Sequence, residues 1–326
     1  MTIEYFDLLL QVITHIQISI DMKKKMFILI SLALITFSSV TAQVGNQQNA
    51  VKQDSTFYQS VYNLRPVLIK KHRMLLNFQF DFPRYYKVYN PKQQAIAKVP
   101  SVVVLNEFYF NTYFTYGISD KWNVYAVLPI ADIHHYSPMI FKSGIGLGDV
   151  QLGIDYQLLG NKGKGKDYLS LEFKTTFPTG QYKNLSNTEY PTGLGSFRFM
   201  PAINGLHRFS SFNLWYTAYY EYQTNHSGLS IGDETGLFAT IQKDIPTKVG
   251  DFGIEGGLNS YYNFKDTNQG KEIPNSKDYS VNLYVGGWYK YLSKFYIRFG
   301  VPYTVYQNNS WMTKYQVMIQ FDYLIK

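Results

Sequence analysis

Between Gly148 and Leu158 the chain alternates strictly. Gly148, Val150, Leu152, Ile154, Tyr156 and Leu158 fall on one side of an extended backbone, and Asp149, Gln151, Gly153, Asp155 and Gln157 on the other. Segments of this kind recur down the chain, and the only long apolar run, Met26 to Phe37, is too short to cross a bilayer as a helix. A chain so patterned is constrained to sheet with one oily and one wet face. Its signature is that of a transmembrane antiparallel β-barrel, an all-β fold.

The rhythm begins after Arg73. Met74, Leu76, Phe78, Phe80 and Phe82 oppose Leu75, Asn77, Gln79 and Asp81 in a first strand, and Phe108, Phe110, Thr112, Phe114 and Tyr116 mark a second. Trp122, Val124, Ala126 and Leu128 open a third after the turn Gly117-Ile-Ser-Asp120. Later lipid-side sets are Leu169 to Phe177, Phe212 to Tyr220, Tyr279 to Val285 and Tyr315 to Tyr323, each read at every second residue. With weaker segments at 196–206, 231–243, 251–264 and 295–306, the count is about twelve strands, an even number as bacterial barrels have. Short links at 117–121, 161–167, 207–211 and 291–294 alternate with longer ones at 83–100, 131–145, 178–195 and 265–277. That matches short periplasmic turns and long outer loops, two of which, 83–100 and 178–195, are candidates for gating or recognition.

Tyr 30, Phe 23 and Trp 4 bring the aromatic share to 17%, an excess suited to a lipid-facing band and to girdles at its two edges. Mean hydropathy is only -0.20, because a wet lumen face cancels an oily outer face, whereas a helical membrane protein scores far higher. At the N-terminus, Lys23 to Lys25 precede the apolar run, and Val40-Thr41-Ala42 gives a signal peptidase its small residues. The expected division is therefore an upstream extension at 1–21, a cleaved Sec signal peptide at 22–42, a periplasmic segment at 43–72 and an outer-membrane barrel at 73–326. With Cys 0 there is neither a lipoprotein anchor nor a disulfide framework.

The net charge of +8 lacks the clustered basic pattern of a nucleic-acid site, so contact with anionic lipid and lipopolysaccharide is the expected use. No catalytic, metal or cofactor signature is present. Asp132-Ile133-His134-His135 falls in an expected outer loop, and two adjacent His side chains in an extended segment point apart and cannot chelate together. Gly144-Ile-Gly-Leu-Gly148 precedes a strand rather than opening a helix, so it suits close packing, not a phosphate.

The strand registers place Glu107, Asp149, Asp155, Glu172, Glu221, Glu234, Glu255 and Asp322 on the lumen face, against Lys174, Arg198, Lys290 and Arg298. Acids outnumber bases there. The set either tunes a narrow pore toward cations or pairs into a network that fills a small barrel.

Tyr116-Gly-Ile-Ser-Asp120 with Trp122, Leu128-Pro129, Gly146-Leu-Gly-Asp-Val150 and Phe177-Pro-Thr-Gly180 occur in this order over residues 107–195. In these motifs the chain resembles the outer-membrane family of meta-pathway phenol-degradation proteins, and its aromatic style is similar to that of Bacteroidetes outer-membrane proteins. The resemblance implies a non-enzymatic outer-membrane transporter for small, often hydrophobic or aromatic solutes, inserted by the barrel-assembly machinery. One departure is the C-terminus, where Phe321 and Tyr323 are followed by Leu324-Ile325-Lys326 rather than ending on an aromatic. The alternative from another class is a surface enzyme or adhesin anchored by the barrel.

Overall fold

The computed structural model describes residues 69–325, apart from 91–94, 99–103, 137–140, 162–163, 225–228, 248–249, 274–275, 292–294 and 308–310. The expected extension, signal peptide and most of the N-terminal segment lie outside the described residues. Twelve antiparallel strands form the wall. They are β1 (Met74–Asn90), β2 (Val104–Gly117), β3 (Trp122–Tyr136), β4 in two pieces (Phe141–Leu147 and Gln151–Asn161), β5 (Lys164–Thr176) and β6 (Arg198–Arg208). The second half comprises β7 (Asn213–Gln223), β8 (Glu234–Pro246), β9 (Asp251–Asn263), β10 (Asp278–Tyr291), β11 (Phe295–Gln307) and β12 (Trp311–Ile325).

Each strand pairs with the next, and β12 returns to β1 from Met74↔Ile325 to Val88↔Trp311. That pairing closes the sheet, so no strand edge is left to hydrocarbon. Short strands decorate the long-loop end: Ala95–Lys98 folds back on β1, and Leu229–Ser230, Thr267–Asn268 and Lys271–Glu272 form a small sheet of their own.

The two-residue period sorts the side chains as the sequence predicts. Val285 is 69% exposed and Phe299 58%, while the residues just before them in the chain, Tyr284 and Arg298, are 2% and 0% exposed. Outward apolar residues are therefore uncovered by the chain itself, which in water would be costly over so wide a band and in lipid costs nothing. At the short-turn end the inward face turns apolar: Leu75, Tyr168, Leu206, Trp215, Trp288, Tyr296 and Leu324 enclose Ile69.

Four expectations need correction. Asp132 to His135 lie in β3 rather than in a loop, paired across to Leu105 to Phe108 of β2. The same applies to parts of the expected loops 83–100 and 131–145, since β1 runs on to Asn90 and β4 resumes at Phe141. Above the lipid band the outward face no longer has to be apolar, so the alternation fades although the hydrogen-bonded ladder continues. Third, Gly148 does not share a face with Leu152. Between Ile130↔Leu147 and Val127↔Gln151, three β4 residues oppose two of β3, a bulge that reverses the facing of every residue above it. Fourth, the aromatic excess is not all spent on lipid, for Tyr125, Tyr284, Trp215 and Trp288 are buried on the inward side.

Candidate functional site in the barrel lumen

The wet face of the wall is a nearly continuous polar lining, and of the charged residues expected there all but Asp149, which sits in the β4 bulge, share the inward parity of their strands. Arg298 and Asp322 are both fully buried, with Nε donating to Oδ2 at 2.9 Å. Asn77 and Gln320 donate further bonds to the Asp322 carboxylate, as a charge taken out of water requires. Lys290 Nζ lies 3.7 Å from Asp251 Oδ2 and, like Arg298, faces the ring of Tyr296. Arg198 Nη1 meets Glu221 Oε1 at 3.2 Å, and Lys174 Nζ stands 3.8 Å from the other oxygen of the same carboxylate. Each of the four lumenal bases anticipated from sequence thus faces an acid.

The remaining acids rest largely on neutral donors. Glu172 accepts from the hydroxyl of Tyr125 and from Asn204 Nδ2 at 3.0 Å. Glu255 accepts from Tyr284, and Glu234 from Tyr219. Asp155 is 2% exposed, in register between Asn123 and Glu172. Glu107 accepts from Tyr85 and Tyr109, both at 2.7 Å, and its second oxygen lies 2.8 Å from His135 Nε2. Asp81 joins them through Gln79 Nε2 at 2.9 Å and Asn111 Nδ2 at 3.2 Å. Hydroxyls and amides stabilise a carboxylate without cancelling its charge, and among the described lumenal residues named here carboxylates outnumber lysines and arginines.

Room for these rings comes from glycine. A Cβ at Gly153 would overlap the ring of Tyr125, its register partner, and one at Gly253 would overlap Trp288 in the same way. The aromatic planes therefore lie along the wall instead of projecting into the bore.

Asp149 plays another part. Its Oδ1 accepts from the backbone of Gly180 at 3.0 Å and its Oδ2 from that of Leu194 at 2.8 Å, which ties together the two ends of the long β5–β6 loop. Thr179 Oγ1 donates to the Gly148 carbonyl at 2.9 Å and accepts from the Val150 amide at 2.8 Å. The segments Gly146-Leu-Gly-Asp-Val150 and Phe177-Pro-Thr-Gly180 are thus two halves of one clamp. The two histidines do diverge: His134 Nε2 approaches Asp132 Oδ1 at 2.7 Å on the outer side, while His135 faces Glu107. His135 was expected in an outer loop, Asp81 was placed on the wet face without being counted among the lumenal charges, and the inward tyrosines were given no role. The usable signal was parity, since His135 lies an even number of residues from Tyr125 on the same strand.

No protein-family model matches the chain, and no curated protein sequence does so either. Among solved structures it is similar to an outer membrane channel from Pseudomonas putida F1, with TM-score 0.65 at 10% identity over 85% of this chain and all of that one. Two porins, NanC and KdgM, align with TM-scores of 0.45 and 0.41 at 12% and 8% identity, each over 76% of this chain and 98% of its own. In fold, the chain is an outer-membrane-type β-barrel.

Proposed function

We propose that the protein is an outer-membrane channel through which small solutes diffuse passively, cations in preference to anions. The observation that carries this reading is the sorting of the wall: an uncovered apolar outer face around a lumen where, among the described residues, carboxylates outnumber lysines and arginines and several accept from hydroxyls and amides. Field lines focus in a narrow low-dielectric bore, so a modest excess of fixed negative charge raises the local cation concentration. The motif resemblance implies hydrophobic or aromatic solutes as the class carried. In this account Sec delivers the chain, the barrel-assembly machinery inserts it, and its surroundings are outer-membrane lipid and lipopolysaccharide. Refolded protein in planar bilayers under a potassium chloride gradient tests the proposal. A current whose reversal potential lies toward that of potassium supports it, whereas silence or a chloride-directed potential defeats it.

A further inference from the structure

The loop between β5 and β6, residues 177–197, does not stand in solvent above the rim. β5 ends at Thr176 opposite Gln151, which leaves the upper piece of β4 without a strand on that side. The loop takes the vacant place. The Ser143 amide donates to the Thr188 carbonyl and the Tyr190 amide to the Ser143 carbonyl, both at 2.9 Å, in a parallel bridge centred on Glu189. At the neck, Gly180 and Leu194 hang on the Asp149 carboxylate.

From this edge the loop bends over the lumen side of the wall. Gly144 is the register partner of buried, inward-facing Ile133, and a Cβ there would overlap the carbonyl oxygen of Tyr190. The Tyr190 ring then crosses β4 and stops against His135 of β3, with centroids 4.6 Å apart. His135 in turn faces Glu107 at 2.8 Å. Burial and the charge on Glu107 both hold the Tyr190 phenol above its ordinary range, so it stays a neutral hydroxyl.

We propose that this loop sets the bore of the lumen at the long-loop mouth, with Tyr190 as the side chain that narrows it and Glu107 and His135 as the wall it closes against. The inference rests on the channel reading and deepens it by naming the element that fixes which solutes fit. Glycine supplies an internal control. A methyl at Gly144 collides with the loop backbone, while one at Gly146, two residues along on the same face, has only the Thr192 side chain at 3.9 Å.

The experiment compares the parent with Gly144→Ala, Gly146→Ala and Tyr190→Ala by single-channel conductance and by exclusion of sized polyethylene glycols, each variant first shown to be folded by heat-modifiable gel migration. Gly144→Ala and Tyr190→Ala should roughly double the conductance and admit larger polymers, with Gly146→Ala unchanged. A folded Gly144→Ala that conducts and excludes like the parent overturns the proposal. Should that variant not fold, Tyr190→Ala decides alone, a wider pore supporting the proposal and a parental one overturning it. A parent and variants that all fail to conduct overturn the channel reading itself, a result distinct from a conducting parent with indifferent variants.

Discussion

Replacing Asp149 with Ala removes both acceptors at the neck of the β5–β6 loop. Asp149 is 6% exposed and its carboxylate takes the amides of Gly180 and Leu194 at 3.0 and 2.8 Å, so neither amide gains ready access to water when the acid is lost. Hydrogen bonds to charged groups are worth about 1.5 kcal/mol at the low end, and the two together about 3 kcal/mol. Because 1.4 kcal/mol is a factor of ten in an equilibrium, the open population of the neck should rise by roughly two orders of magnitude. Hydrogen exchange of the folded protein in detergent, followed by mass spectrometry over residues 177–197, reads that population directly. Asp149→Ala should speed exchange there by about a hundredfold while the ladder of β8 and β9 keeps its protection. Asp149→Asn, with one acceptor oxygen left, should fall between. Unchanged exchange in Asp149→Ala would refute the clamp, and uniform acceleration across the barrel would show that the residue holds the whole fold and not the loop.

Two further outcomes follow from the lumen. Arg298→Met strands the buried Asp322 carboxylate and should cost about 3–5 kcal/mol in urea unfolding followed by tryptophan fluorescence, with the double change Arg298→Met/Asp322→Leu recovering most of the loss; an unaltered single variant would contradict the pairing. Glu107→Gln removes a fixed charge at the long-loop mouth and should move the reversal potential toward chloride, whereas an identical potential would show that selectivity arises elsewhere.

Much of the wall was legible because hydrocarbon enforces it. Along the Leu169 to Phe177 segment, as in the closing segment to Tyr323, one face has to be apolar, so parity alone sent Glu172, Lys174 and Asp322 inward. Where hydrocarbon stops, so does the signal. Asp132 and His134 read as loop because outward residues above the band are free to be polar, although β3 continues through them to Tyr136. The bulge at 148–150 was invisible for a related reason, since Gly148 has no side chain to betray which way it faces. Pairings such as Arg298 with Asp322 or Tyr125 with Glu172 depend on strand register, which alternation leaves open within steps of two residues. The short motifs around Asp149 and Thr179 were visible as motifs, but that they hold each other only the folded backbone could show.

A channel of this kind requires the outward side chains to meet lipid. With Cys 0 in the chain, single cysteines can be placed without background along β9, at Phe252 and Ile254 outward and at Glu255 and Asn259 inward, and spin-labelled in bilayers. Collision with oxygen, which partitions into hydrocarbon, should be high at 252 and 254 and low at 255 and 259, with a water-soluble nickel relaxant excluded from the outward pair. Equal oxygen access at all four positions, or nickel reaching 252 and 254 freely, would contradict the barrel's place in the membrane.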